Sequence, residues 1–346
     1  MDKKPFGLDI GVSTFKVVSL SHRKDGFLLN SALIVPAPAK GMLSESPLDE
    51  EEMAQAIAKT VSDAKITSKF VNVALPENKV YTKIVEMPVL SDRELSSAIY
   101  WEAEQHIPVP LSGITLVWSV LKRPAQGAIG EKMIVLMVGS PTGLIEKYQR
   151  ILAMASLTIN SIETEVLSSI RALVVGENFP PSLIVSIGSV TTSLAIIRDG
   201  ITVFTYSIST GGSAISRAIS ADFGLSPTQA EEYKKTYGVT KEALGGKIGL
   251  ATEPIMSSIL EEIKKALAYY TDKYKNDQPI KQIFLSGGTA RLPGIDLYFT
   301  NNANIETIVA NPWKILAPGQ QIQKEVLDNA PDYTIAVGLA MRDYEE

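Results

Sequence analysis

The sequence contains no cysteine, which excludes a disulfide, a thiolate nucleophile and any metal centre built on sulfur. Histidine is almost as scarce: His22 and His106 are the only two, far apart in the chain, and they argue against a histidine-rich metal site. No uncharged apolar run reaches the roughly 18 residues that a membrane span needs. Met1-Asp2-Lys3-Lys4 leads straight into a strand pattern, without the apolar stretch of a signal peptide. These absences predict a soluble, cytoplasmic chain with no direct membrane insertion. An excess of positive charge is also lacking: the formal net charge of -5 gives no general attraction to nucleic acid or to an anionic membrane surface, so no nucleic-acid partner is expected.

What is present is length and an ordinary globular composition. The 346 residues, 45% hydrophobic and 21% charged, suffice for two well-cored domains. The chemistry concentrates in glycine-bearing turns. Residues 6–20 read as a strand, a tight turn and a returning strand. Asp9 ends the first strand, Gly11 lets backbone approach a ligand, and Ser13, Thr14 and Lys16 offer hydroxyl and ammonium donors, a set suited to phosphate. A lone Asp-x-Gly is an ordinary turn, but this pattern recurs. Residues 183–200 again give a strand, a turn with Gly188, Thr191 and Thr192, and an apolar returning strand. The repeat closes on the hairpin turn Asp199-Gly200, matching Asp25-Gly26 in the first copy. Two copies imply two similar lobes, each presenting a hairpin to one ligand.

Along the chain, Val35-Pro36-Ala37-Pro38-Ala39-Lys40-Gly41 forms a short connector, and Asp49-Glu50-Glu51-Glu52 opens a helix with Ala54, Ile57, Ala58 and Val61 on one face. Phe70-Val71-Asn72-Val73-Ala74-Leu75 reads as a buried strand. Ser91-Asp92-Arg93-Glu94 is a capping-box pattern, and the helix it opens stops at Ile107-Pro108. Strands near 115–121 and 132–138 and a helix near 142–155 complete an α+β insertion over about residues 78–156. Residues 161–171 turn from strand to helix, with Glu163 and Glu165 at the junction: carboxylates there either orient a water or simply suit a helix start. Asn178-Phe179-Pro180-Pro181-Ser182 separates the lobes.

In the second half, Ser209-Thr210-Gly211-Gly212-Ser213 opens a helix whose first amides form another anion site. Ser226-Pro227 opens, and Gly238 ends, a helix carrying Glu231 and Lys234, which the residues alone read as a solvated face. A long helix is expected over 254–275, a buried strand near 283–286 running into Gly287-Gly288-Thr289, and an apolar helix over 333–341.

The two hairpins, the Ala230-Glu231-x-x-Lys234 helix and the Gly287-Gly288-Thr289-Ala290 turn, in this order, resemble the actin-like ATPase superfamily. The closer resemblance is to the PilM family of type IV pilus assembly proteins and its relative, the FtsA family of cell-division proteins. It covers the whole chain, including Met87-Pro88, Glu94-Leu95, Glu102-Ala103-Glu104 and Ile107-Pro108 of the insertion.

The resemblance implies an α/β fold of two duplicated RNase H-like lobes with a small α+β insertion in the first. The implied division is 1–77 first lobe, 78–156 insertion, 157–180 return and connection, 181–325 second lobe with a small subdomain near 213–253, and 326–346 a C-terminal helix returning to the first lobe. It implies ATP and Mg2+ as cofactors. Asp9, Gly11, Ser13 and Lys16 match the first phosphate loop, with Asp9 on the metal side. Gly188, Thr191 and Thr192 match the second, and Gly211 and Gly212 a phosphate-side turn. Glu231 and Lys234 match the helix touching ribose and base, and Gly287, Gly288 and Thr289 the adenosine loop. Glu163 and Glu165 fall where the family places water-orienting, catalytic side chains. Ser186 departs from the Asp common in the family's second loop, so nucleotide binding is expected, with hydrolysis slow or absent.

The function implied is a cytoplasmic ATP-binding scaffold of the pilus inner-membrane complex. Its partners would be the N-terminal tail of a PilN-like inner-membrane protein, held in a groove beside the insertion, and other pilus assembly proteins; the tail would recruit it to the inner face of the membrane. The alternatives are an active ATP phosphohydrolase or sugar kinase of the superfamily, an FtsA-like filament protein, or a type II secretion component. The FtsA-like reading expects a linker and an amphipathic membrane helix, where this sequence ends at Arg342-Asp343-Tyr344-Glu345-Glu346.

Overall fold

A computed structural model describes residues 4–125, 130–176, 179–240 and 243–344. Met1, Asp2, Lys3, Asn178, Glu345 and Glu346, which enter the reading above, lie outside the described residues. In chain order the first half runs β1 (Phe6–Ile10), β2 (Thr14–Arg23), β3 (Gly26–Pro36), α1 (Pro47–Asp63), β4 (Phe70–Leu75), β5 (Tyr81–Met87) and α2 (Asp92–His106). It continues with β6 (Ile114–Lys122), β7 (Met133–Pro141), α3 (Thr142–Met154), β8 (Thr158–Thr164) and α4 (Glu165–Leu173). The second half runs β9 (Ser182–Ile187), β10 (Thr192–Arg198), β11 (Ile201–Ile208), α5 (Gly212–Phe223), α6 (Pro227–Tyr237) and α7 (Lys247–Lys273). Then follow β12 (Gln282–Ser286), α8 (Ile295–Ala303), β13 (Glu306–Val309), α9 (Lys324–Asp328) and α10 (Thr334–Met341).

The strands form two five-stranded sheets of the same design. The first has the order β3-β2-β1-β4-β8 and the second β11-β10-β9-β12-β13. In both, the hairpin strands pair antiparallel and the other neighbours pair parallel. All five residues of β1 are buried, as befits the middle of a sheet covered on both faces. Pro36 falls at the end of β3, an edge strand, where its missing N–H costs no ladder bond. The β10–β11 hairpin turns at Asp199 and Gly200, with φ of 52° and 74°, the left-handed pair that matches the twist of the flanking strands.

Each lobe has its own core. Ile57, Val71, Val73 and Phe15 pack in the first, and Val185, Ile259, Ile263 and Phe299 in the second. The insertion has a third, where Leu95, Ile99 and Ala103 of α2 cover Met133, Val135 and Met137 of the sheet β5-β7-β6. The Ser91 cap of α2 is a complete capping box: its hydroxyl accepts from the Glu94 amide while Glu94 reaches back to the Ser91 amide. Tyr148, Ile151 and Leu152 of α3 join the core of the first lobe, so this helix, which the sequence groups with the insertion, packs on the nucleus of β1, β4 and α1.

The long helix of the second lobe differs from expectation at its start. It begins at Lys247, not at Pro254, which lies two turns inside it. Ile248, Ala251 and Thr252 are buried and anchor these extra turns, enough to offset the missing amide at Pro254. Near the end of the chain, Ala330, Tyr333, Ala336 and Val337 pack with Val18, Leu20 and Ala172, which returns this segment to the first lobe. At Gly338 of α10 a Cβ would fall 1.8 Å from the Ser168 carbonyl, so the approach of α10 to α4 requires glycine.

Candidate functional site

The two hairpins meet across a cleft of about 650 Å³ between the lobes. In the first, the Gly11 amide donates to the Thr14 carbonyl at 3.1 Å; in the second, the Gly188 amide donates to the Thr191 carbonyl at 2.9 Å. The same four-residue loop is therefore built twice. The second loop is pinned by the start of α5, because the Gly212 amide donates to the Gly188 carbonyl at 2.9 Å and the Ser213 amide to the Ser189 carbonyl at 2.8 Å.

Glycine is required at this junction. A Cβ on Gly211 would lie 2.6 Å from the Gly188 carbonyl, and one on Gly212 would lie 2.4 Å from the Thr289 hydroxyl. Gly287 has φ +82°, and its Cβ would meet the Ile187 carbonyl at 2.6 Å. Backbone from three segments thus converges where a polyanion can press against amides.

The register sets the charges. Asp9 and Lys16 are cross-strand partners on β1 and β2, and the Lys16 ammonium lies 2.9 Å from Asp9 Oδ2. Burial works against the Lys16 charge, but the Asp9 carboxylate beside it, with Asp332 and Glu165 further off, holds the ammonium above its ordinary value. Glu165, at the first turn of α4, accepts from the Glu77 amide at 3.3 Å. Burial, then the Asp9 charge, pushes its carboxyl up to about 8. Glu77 itself is buried with Oε2 unpartnered among the described residues, and burial pushes it up to about 7. On the opposite wall, burial pulls the Lys234 ammonium down; it lies 2.7 Å from Glu231 Oε2 and donates to the Gly212 carbonyl at 3.2 Å. Burial opposes the Glu231 charge too, yet Lys234 and the Ser216 hydroxyl at 2.6 Å hold that carboxyl below its usual range.

Of the residues singled out in the sequence, Asp9, Gly11, Ser13, Lys16, Glu165, Gly188, Thr191, Gly212, Glu231, Lys234, Gly287, Gly288 and Thr289 line the cleft together. Three do not. Gly211 stands behind the wall as the N-cap of α5. Thr192 is fully buried and spends its hydroxyl on the Thr210 carbonyl at 2.7 Å. Glu163 sits in a buried ion pair: Arg171 binds both its oxygens, at 2.6 and 3.0 Å, and Arg342 adds a contact at 3.4 Å. Residues two apart in a strand share a face, but β8 ends at Thr164 and α4 begins at Glu165, so the two carboxylates diverge and Glu163 ties α4 to the end of α10.

Sequence reasoning missed Tyr148, Arg291 and Asp332, which also line the cleft. Tyr148 is buried with its hydroxyl unpartnered among the described residues, and burial raises its phenol. Arg291 follows the Gly287-Gly288 turn closely enough to have been noticed; Asp332 carried no motif. Asp9 is the carboxylate beside the Gly11–Thr14 loop, but among the described residues no group of three acidic or histidine side chains forms a preformed metal cage. No helix among the described residues is long and apolar enough to cross a membrane.

Comparison with known proteins agrees with this architecture. The solved structure "PilM-PilN type IV pilus biogenesis complex" superposes with a TM-score of 0.86 at 24% identity, covering 99% of each chain. MreB5 of Spiroplasma citri bound to AMPPNP superposes with a TM-score of 0.55 at 14% identity, covering 100% of this chain and 97% of that one. These likenesses show the actin-like α/β fold. Among curated sequences, the cell division protein FtsA of Streptococcus pneumoniae is 24% identical over 332 residues, 84% of this chain and 71% of the relative. The profile of the family described as type IV pilus assembly protein PilM matches residues 7–344, nearly the whole length, and the chain therefore belongs to that family.

Proposed function

We propose that the chain is a cytoplasmic ATP-binding scaffold of type IV pilus assembly. The observation that carries this reading is the pair of loops, Gly11 to Thr14 and Gly188 to Thr191, facing one cleft with Gly212 and Gly287 between them. The residues fit ATP: the amides and the hydroxyls of Ser13, Thr14 and Thr191 suit the phosphates, while Glu231 and Lys234 stand where a ribose and base extend along α6. Asp9 is placed to hold the water shell of Mg2+, a cation that keeps most of its waters and takes few protein ligands. Mg2+ supplies neutralisation of the phosphate charge. Lys16 adds a positive point charge beside Asp9, and Glu165 lies within the same cleft to orient a water. With Ser186 across from Asp9, turnover is slow, and the role is that of a nucleotide-held platform.

The partner in this reading is the N-terminal tail of a PilN-like inner-membrane protein. The likeness of this chain, over 99% of its length, to the structure of a PilM-PilN complex supports that assignment. We place the tail in a groove between the first lobe and the 78–156 insertion, whose α2 and β-sheet form a separate core. Docking of a tethered tail brings the chain to the inner face of the membrane, alongside other pilus assembly proteins. Titration of the purified chain with a synthetic PilN N-terminal peptide tests this: saturable binding is expected, and an absence of heat and of displacement at millimolar peptide rules the partner out.

A further inference from the structure

We propose that the insertion is a strap between the lobes, with Glu86 of β5 and Lys273 of α7 as the clasp that limits how far the cleft opens; what this implies for nucleotide release rests on the nucleotide reading of the cleft. The insertion is mounted on the first lobe by two segments that both line the cleft. The turn Glu77–Lys79 leads into β5 and contributes Asn78 and Lys79 to the wall, while β7 leads into α3, which contributes Leu144 and Tyr148. From this mounting β5 runs beside β11, the edge strand of the second sheet. The two strands belong to separate sheets and share no ladder among the described residues, so side chains, not backbone, hold this flank together.

Glu86 makes the crossing. One of its carboxylate oxygens lies 2.8 Å from the Lys273 ammonium and the other 3.8 Å from that of Lys132, within the insertion. Lys273 is set in place by its own lobe: it donates to the Tyr269 hydroxyl at 3.2 Å and lies 5.6 and 5.3 Å from the ring centres of Tyr269 and Tyr274. Burial opposes the Lys273 charge, yet Glu86 and the Tyr269 hydroxyl hold the ammonium above its ordinary value, and the bond from Lys273 holds the Glu86 carboxyl below the usual carboxylate range.

The opposite flank shows which side moves. There the chain after β13 lies along β3, the edge strand of the first sheet, and backbone makes the join. Phe27 and Leu316 form a parallel bridge, and the Ala317 amide donates to the Phe27 carbonyl at 2.8 Å. The Gln320 side chain accepts from the Leu29 amide at 2.9 Å and donates to the Leu29 carbonyl at 2.8 Å. That flank is a hydrogen-bonded seam. The β11 flank has instead an ion pair whose side chains are 34% and 35% exposed, a contact that breaks and reforms readily. Opening therefore swings the lobes about the β3 seam and parts them at β11, where the clasp resists it.

Because the chain has no cysteine, spin labels on Gln55→Cys in α1 and Thr228→Cys in α6, both exposed, report the distance between the lobes without background. Without nucleotide, the clasped chain is expected to give one narrow distance distribution. Glu86→Lys and Lys273→Glu are each expected to broaden it towards longer distances, and the two together to restore it, a rescue that general destabilisation does not produce. Release of a fluorescent ATP analogue is expected to speed by roughly two- to five-fold in each single variant, the range that a half-exposed ion pair supports, and to return to the parent rate in the double variant. Should a reversal unfold the insertion, Glu86→Gln removes the charge at nearly constant shape and is expected to broaden the distribution in the same way. Single variants with the parent's distribution, Glu86→Gln included, or a double variant no nearer the parent than the single ones, overturn the proposal. A parent that does not bind the analogue overturns the nucleotide reading instead, and the label distances still decide the strap.

Discussion

Asp9 and Ser186 occupy the same place in the two lobes. Each lies two residues before the glycine whose amide closes the loop, and each faces a cross-strand partner seven residues on, Lys16 in the first hairpin and Ser193 in the second. One lobe therefore brings an ion pair to the cleft and the other a pair of hydroxyls. The duplication is complete in backbone and broken in charge.

That asymmetry predicts slow turnover. Restoring a carboxylate with Ser186→Asp is expected to raise ATP hydrolysis by an order of magnitude or more, since phosphoryl transfer depends on electrostatic positioning around the metal. Phosphate release by the parent and by Ser186→Asp, each with Glu165→Gln as control, gives the comparison. Fast hydrolysis by the parent that Glu165→Gln abolishes contradicts the scaffold reading.

Glu77 predicts a pH dependence of stability. Its folded value of about 7 lies above the 4.5 of the unfolded chain, so the native state binds the extra proton between them. The contribution of this group is fully present below about 4.5 and is lost as pH rises through about 7. Glu77→Gln removes that dependence. In urea unfolding, the variant should match or trail the parent at pH 5 and gain on it towards pH 8.5, by up to about 3 kcal/mol. A difference that is flat with pH contradicts the burial of an ionisable Glu77.

Two glycines of the first lobe should respond oppositely to alanine. Gly338→Ala drives a Cβ into the Ser168 carbonyl of α4 and should cost about 3 kcal/mol or more. Gly143, in the first turn of α3, has open space at its Cβ position, and Gly143→Ala should stabilise by roughly 0.5 kcal/mol through the unfolded state. Urea midpoints for the two variants check both signs.

Much of the fold was legible because local chemistry and global structure agree. The Ser91 and Ser226 capping boxes, the Asp199-Gly200 turn and the repeated strand-Gly-strand pattern each specify their element without help from distant residues. The parts that were not legible depend on the far end of the chain. Glu163 reads as a candidate acid until Arg342, 179 residues away, joins Arg171 on it. Asp332 enters the cleft only because the segment before α10 folds back onto the first lobe and meets Arg291 of the second. The early start of α7 was hidden by Pro254, whose local penalty is outweighed by burial of Ile248, Ala251 and Thr252.

Binding of ATP is the claim on which the account turns, and isothermal titration with and without Mg2+ tests it on the purified chain. The account predicts saturable binding that Mg2+ tightens, and a melting temperature that rises with ligand; at a free concentration about 100 times the dissociation constant the stabilisation is about 2.7 kcal/mol. Asp9→Asn should abolish most of the Mg2+ effect and leave the metal-free binding in place. No heat and no thermal shift at millimolar Mg-ATP, or an Asp9→Asn variant with the full Mg2+ effect, contradicts it.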